Sequence, residues 1–232
     1  MAYYYYGNDG GRRGGFLSSL PPVTKNLIII NVIVFLASLL NENFMIGTFA
    51  LFYPTSPFFR WWQVVTHMFM HGGFWHIFFN MYSLLMFGSV VEKAIGPKKF
   101  LMLYFICGFG AAALHTGVEY LSASSFLALG KTAEYSQLLY TPVVGASGAI
   151  YGLLVAFAMI YPDARLTLIF PPITLDAKWW VIIFIGIELI TGITGTAMGI
   201  AHFAHLGGAL FGFLLIFIWR KTYRLWDKEK WL

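Results

Sequence analysis

Charge is scarce in this sequence. Asp, Glu, Lys and Arg make up 11% of its 232 residues, against 59% that are hydrophobic. Soluble domains carry roughly a quarter charged residues, so the shortage excludes an ordinary water-soluble globule and argues for an integral membrane protein. Cysteine is almost missing too. The single Cys107 lies inside an apolar run, which excludes a disulfide framework and leaves the redox compartment open. The first 25 residues hold no apolar core, so no cleavable signal peptide is expected. No internal repeat is evident, which speaks against the inverted-repeat plan common in transporters.

What is present in quantity is long apolar sequence. Residues 1–25 read as a disordered cytoplasmic head, with four consecutive tyrosines and then a glycine-rich stretch. Six apolar segments follow, at about 26–41, 74–91, 99–119, 146–161, 179–196 and 201–219. A helix needs roughly 20 residues, with a range of about 17–25, to cross a hydrocarbon core. Most of the six meet that length. The fourth is short, bounded by glycine before Ser147 and by Pro162. The expected architecture is therefore all-α: a six-helix membrane bundle over residues 26–220, followed by a basic cytoplasmic tail at 221–232.

The net charge of +5 could have suggested nucleic acid. Its distribution gives another reason. With the N-terminus cytoplasmic, 13 of the 15 basic residues fall on the inner side, and only Arg60 and Lys131 fall outside. Both termini are then cytoplasmic, the basic balance is a topology signal, and no nucleic-acid partner is expected. Two outer connections are long. Residues 42–73 are rich in aromatics suited to a membrane interface, and 120–143 read as a polar loop of unknown role. A short turn around Gly195–Gly199 joins the last two spans.

Ionisable and polar residues inside spanning helices are expensive and point to function. Here they are His76 and Asn80 on the second segment, Ser147 on the fourth, Glu188 on the fifth, and His202 and His205 on the sixth. Ser147 lies 15 residues before Pro162, His205 lies 15 before Arg220, and His76 lies 16 before Glu92. At about 1.5 Å per residue, all three stand on the order of 22–24 Å above the inner boundary. Asn80 is one turn deeper than His76 on the same face. Four polar side chains from three helices thus share one shelf near the outer surface. Gly148, Gly152 and Ala156 on one helix, and Ala204, Gly208 and Gly212 on another, form small-residue stripes that let helices approach closely.

Serine needs a base to act as a nucleophile, and His205 is the expected base. The backbone N–H of Ser147 at a helix N-terminus, with His76 and Asn80, would stabilise an oxyanion. Glu188 is the only candidate carboxylate. Lying about 10 residues after Lys178, it is expected nearer mid-membrane, which leaves a Ser–His dyad.

These residues resemble the rhomboid intramembrane serine proteases. Gly145-Ala146-Ser147-Gly148 is similar to that family's GxSG motif, His76-Ile-Phe-Phe-Asn80 to its HxxxN, and Ala204-His205-Leu-Gly-Gly208 with Gly212 to its AHxxGxxxG. The resemblance implies Ser147 as nucleophile, His205 as base, His76 and Asn80 as oxyanion donors, and Tyr151 stacked on His205. It also implies access past the fifth helix and the Gly195–Gly199 turn. No cofactor and no metal is implied. The expected partners are the lipid bilayer and single-pass membrane substrates with helix-destabilised segments and a small residue at the cleavage position. Family members often carry Trp-Arg in the first outer loop, where this chain has Trp61-Trp62-Gln63. His67 and His71 resemble recurrent loop histidines with structural roles.

Three other readings compete with this one. A zinc protease would use the i, i+4 pair His67 and His71, but the glutamate of a zinc-binding HExxH is missing. An inactive client-binding relative would be expected to lack the serine or the histidine. A His/Glu-lined transporter leaves the glycines around Ser147 without a role.

Overall fold

In the computed structural model, residues 19–168, 171–194 and 200–223 are described. Helices dominate. The first, α1 (Pro22–Ser38), starts four residues earlier than the hydropathy boundary, because Pro22 sits at a first-turn position that needs no N–H. A short α2 (Glu42–Phe49) follows, capped by Asn41 accepting from the Phe44 N–H. The connection 42–73 is thus partly helical, with α3 (Gln63–Thr66) and a 3₁₀ turn at His67–Phe69 completing it. The second span runs unbroken over Phe74–Ile95. It comprises α4 (Phe74–Ser83), a π-helical stretch (Leu84–Gly88) and α5 (Ser89–Ile95).

The polar 120–143 connection departs most from expectation. There α6 (Pro97–Ala128) continues well past the apolar segment, and α7 (Thr132–Tyr140) folds after it. Neither proline nor a positive-φ glycine interrupts α6 until Gly130 (φ 65°) turns the chain. This helical pair packs on the 42–73 connection through Tyr53, Ala123 and Leu138. The fourth span, α8 (Ser147–Ile160), is short, as the sequence indicates. A small antiparallel hairpin that hydropathy does not reveal, β1 (Arg165–Thr167) with β2 (Thr174–Asp176), leads into α9 (Ala177–Thr194). The last span is α10 (Ile200–Tyr223). The Gly195–Gly199 turn and the head before residue 19 lie outside the described residues.

Four of these helices are long and apolar enough to cross a membrane, while α1 and α8 are shorter. The outward faces are apolar, with Ile29, Ile33, Trp75, Phe79, Ile182, Ile190 and Phe217 all exposed. Such a surface requires lipid. No residue of α8 is exposed. It stands at the centre, and Leu153, Ala156 and Phe157 join Leu103, Tyr104, Cys107 and Ile216 in the core. A short helix can lie there because other helices, rather than lipid, surround it.

Candidate active site

Glycine brings the site together. A Cβ on Gly208 would lie 1.8 Å from the Gly148 carbonyl oxygen, and one on Gly212 would lie 2.6 Å from that of Gly152. The two small-residue stripes are therefore in backbone contact. Ser147 and His205 stand beside that contact, so the approach of α8 and α10 sets their separation.

Ser147 Oγ lies 2.8 Å from His205 Nε2. Tyr151, one turn below Ser147, stacks on the His205 ring with centroids 4.4 Å apart and planes 7° from parallel. Gly145 takes φ +129°, a conformation that L side chains rarely adopt, and a Cβ there would meet His76 Nε2 at 2.8 Å. His76 Nδ1 accepts the Gly72 N–H at 3.3 Å. An acceptor at Nδ1 means that the neutral ring carries its proton on Nε2. His76 thus directs an N–H toward Gly145 and the neighbourhood of Ser147. The Ser147 N–H is the first of its helix, a group that a helix leaves without an internal partner.

Asn80 is placed differently. It is buried one turn along α4, and its amide donates to the His76 carbonyl at 2.7 Å. That hydrogen is spent on its own helix rather than on the space beside Ser147.

Glu188 is the group whose partners the sequence misjudged. Its Oε1 lies 2.9 Å from His205 Nδ1 and its Oε2 lies 2.5 Å from His202 Nδ1. The Tyr151 hydroxyl also donates to Oε1. A carboxylate thus completes a line from Ser147 through His205, where a dyad without an acid is expected. A helix-depth count that allows for side-chain reach would have found it. Glu188, His202 and His205 are also the described group with donors close enough, within 4.8 Å of one another, to hold a metal ion. Each of those donor atoms is already hydrogen-bonded within the cluster.

His67 and His71 belong to the wall of the site. His67 Nδ1 donates to the Gln63 carbonyl at 2.8 Å, and its own carbonyl accepts the Gly145 N–H at 2.9 Å. His67 also lines, with Val143, Gly145, Ser147, Ala204 and His205, a cavity of about 30 Å³, room for about one water. The His71 ring lies 5.1 Å from that of His76. Gln63 is fully buried and ties the loop by donating to the Phe58 carbonyl and accepting from the Arg60 N–H.

Burial pushes both loop histidines down to about 4, from the ordinary value near 6.5. Because the folded value lies below the unfolded one, the unfolded chain holds the extra proton between about pH 6.5 and 4. Stability is complete above that window and lost as pH falls through it, by roughly 2–3 kcal/mol per histidine at pH 4.5. Thermal unfolding followed by tryptophan fluorescence is therefore expected to show a lower midpoint at pH 4.5 than at pH 7. In His67→Gln the drop should be smaller. A midpoint that does not move over this range means that the two rings are not buried in neutral form.

A helical bundle with a half-buried Ser–His pair among close-packed glycines defines a polytopic membrane protein. Comparison with known proteins identifies the class more closely. The rhomboid domain model matches residues 59–222, and the chain belongs to the rhomboid family. It is 29% identical over 208 residues to Rhomboid protease AarA of Providencia stuartii, covering 83% of this chain and 70% of that protein. It is 32% identical to RHOMBOID-like protein 12, mitochondrial, of Arabidopsis thaliana, covering 81% of this chain and 55% of that protein. With the human Presenilin-associated rhomboid-like protein, mitochondrial, it shares 34% identity over 67% of this chain and 36% of that one. The chain thus spans a little over half of the plant relative and about a third of the human one.

Proposed function

We propose that this protein is an intramembrane serine endopeptidase that cleaves transmembrane segments of other membrane proteins. The 2.8 Å approach of Ser147 Oγ to His205 Nε2 carries the reading. His205 takes the hydroxyl proton as Oγ attacks a substrate carbonyl, then returns it to the leaving amine. The N–H groups of Ser147 and His76 Nε2 would donate to the negative charge that develops on the carbonyl oxygen. The water for the second, deacylating step has a place in the small cavity beside the serine.

Orientation follows from the basic residues: both termini are cytoplasmic, and Ser147 stands toward the outer face of a cell membrane. Substrate backbone already hydrogen-bonded within a helix offers no free carbonyl. Preferred clients therefore carry helix-breaking residues near the cleavage position, with a small residue at the position itself.

The test is reconstitution in liposomes with a model single-pass substrate. The expected results are cleavage within or beside the substrate's spanning segment and covalent labelling of Ser147 by a fluorophosphonate. An active preparation whose labelled residue is not Ser147 would overturn the assignment. A preparation that binds the substrate without cutting it would favour a client-binding role.

A further inference from the structure

A carboxylate inside a membrane bundle is expensive, and one that persists has a partner and a task. Glu188 is 7% exposed and has three partners from two neighbouring helices. Joining α9 to its neighbours would not require a charge, since a glutamine could bridge the same helices. The arrangement is also directional. Glu188 Oε1 meets Nδ1 of His205, on the side of the ring opposite the Nε2 that faces Ser147. Tyr151 lies flat against that ring and donates to the same oxygen. Stacking sets the plane of His205, and the carboxylate sets its rotation within that plane.

We propose that Glu188 is a positioning residue for catalysis, making the site a Ser147–His205–Glu188 relay in which His202 and Tyr151 hold the carboxylate. The inference rests on the protease reading above. A carboxylate can only accept, so it keeps the His205 proton on Nδ1 and leaves the Nε2 lone pair free for the serine. As the Oγ–C bond forms, the carbonyl electron pair moves onto oxygen and the Ser147 proton moves to Nε2. The Nδ1 proton stays on His205, and Glu188 remains a carboxylate beside the imidazolium. When the C–N bond breaks, the Nε2 proton leaves with the amine. Water then repeats the sequence on the acyl-enzyme and restores Ser147.

Steady-state cleavage in liposomes separates this role from a structural one. Glu188→Gln can present an amide N–H to Nδ1 and so impose the wrong tautomer. Its kcat is expected to fall about 100- to 10,000-fold, with KM within about threefold of wild type. Glu188→Asp keeps the charge on a shorter arm and should recover at least about tenfold of the kcat lost in Glu188→Gln. A folded Glu188→Gln with kcat within about threefold of wild type overturns the proposal, as does Glu188→Asp no better than Glu188→Gln. A second measurement needs no variant of Glu188. In wild-type protein labelled with ¹⁵N-histidine, resting His205 should carry its proton on Nδ1, and a proton on Nε2 overturns the relay. Wild-type protein that cleaves nothing would defeat the protease reading itself, whereas these outcomes in active enzyme defeat only the role of Glu188.

Discussion

Ser147→Ala and His205→Ala are each expected to reduce cleavage of a transmembrane substrate to background, a loss on the order of a million-fold. The substitutions should leave the bundle intact. Ser147 is only half-buried, so removing one oxygen opens no large cavity. Loss of the His205 ring leaves Glu188 with two donors, from Tyr151 and His202. The Tyr151 hydroxyl does not inherit the chemistry, because it is committed to Glu188. Residues that act as a unit are non-additive, so the double variant should be no slower than either single one. Cleavage assays on folded, reconstituted variants check this. More than about 1% of wild-type rate in either variant would mean that another nucleophile or base operates.

Gly208→Ala, the addition of one methyl group, is expected to cut cleavage at least about 100-fold and lower the thermal midpoint. The new Cβ would stand 1.8 Å from the Gly148 carbonyl, which is backbone and cannot rotate away. The helices must part by more than 1 Å to reach the roughly 3.4 Å of an ordinary contact. Gly148 adjoins Ser147, and Gly208 lies one turn beyond His205, so that parting is transmitted to the 2.8 Å contact between them. A misplacement of about 1 Å costs on the order of 100-fold in rate, and overpacking of this kind costs about 1–3 kcal/mol. Gly117→Ala is the control, since a Cβ there meets nothing within 4 Å. If Gly208→Ala cleaves like Gly117→Ala, the backbone contact is not what holds the pair together.

Much of this site is legible in the sequence. Depth counting along three helices put Ser147, His205 and His76 on one level, and the glycine stripes named the helices that touch. The miss at Glu188 has a clear physical cause. Tyr151 lies 11 residues before Pro162 and Glu188 lies 11 after Ala177. The Ala177 N–H bonds the Ala164 carbonyl, which starts α9 near the level where α8 ends. Glu188 is therefore level with Tyr151, one turn below the serine, as its count implied. Only the side-chain span was neglected, and an imidazole ring bridges that turn. At Asn80 a local bond to its own helix takes one of the two amide hydrogens.

The errors in the fold have a different origin. Hydropathy marks where apolar sequence ends, not where a helix ends. Polar residues at Ser122, Ser124 and Ser125 therefore read as loop although nothing there breaks the backbone. The Ser124 hydroxyl simply donates to the Tyr120 carbonyl, four residues back. The hairpin at β1–β2 has strands of three residues each, too short for any alternating pattern to show.

Glu92, which served only as a boundary marker in the depth count, is almost fully buried. Its two oxygens accept the N–H groups of Val23 and Thr24 at 2.9 and 2.7 Å. The first helix is thus capped by a residue 68–69 positions further along the chain. During synthesis at about 5–20 residues per second, its leading N–H groups wait several seconds for that carboxylate to emerge. The first two spans therefore mature as a pair, and the opening helix completes its docking only after the second has entered the bilayer.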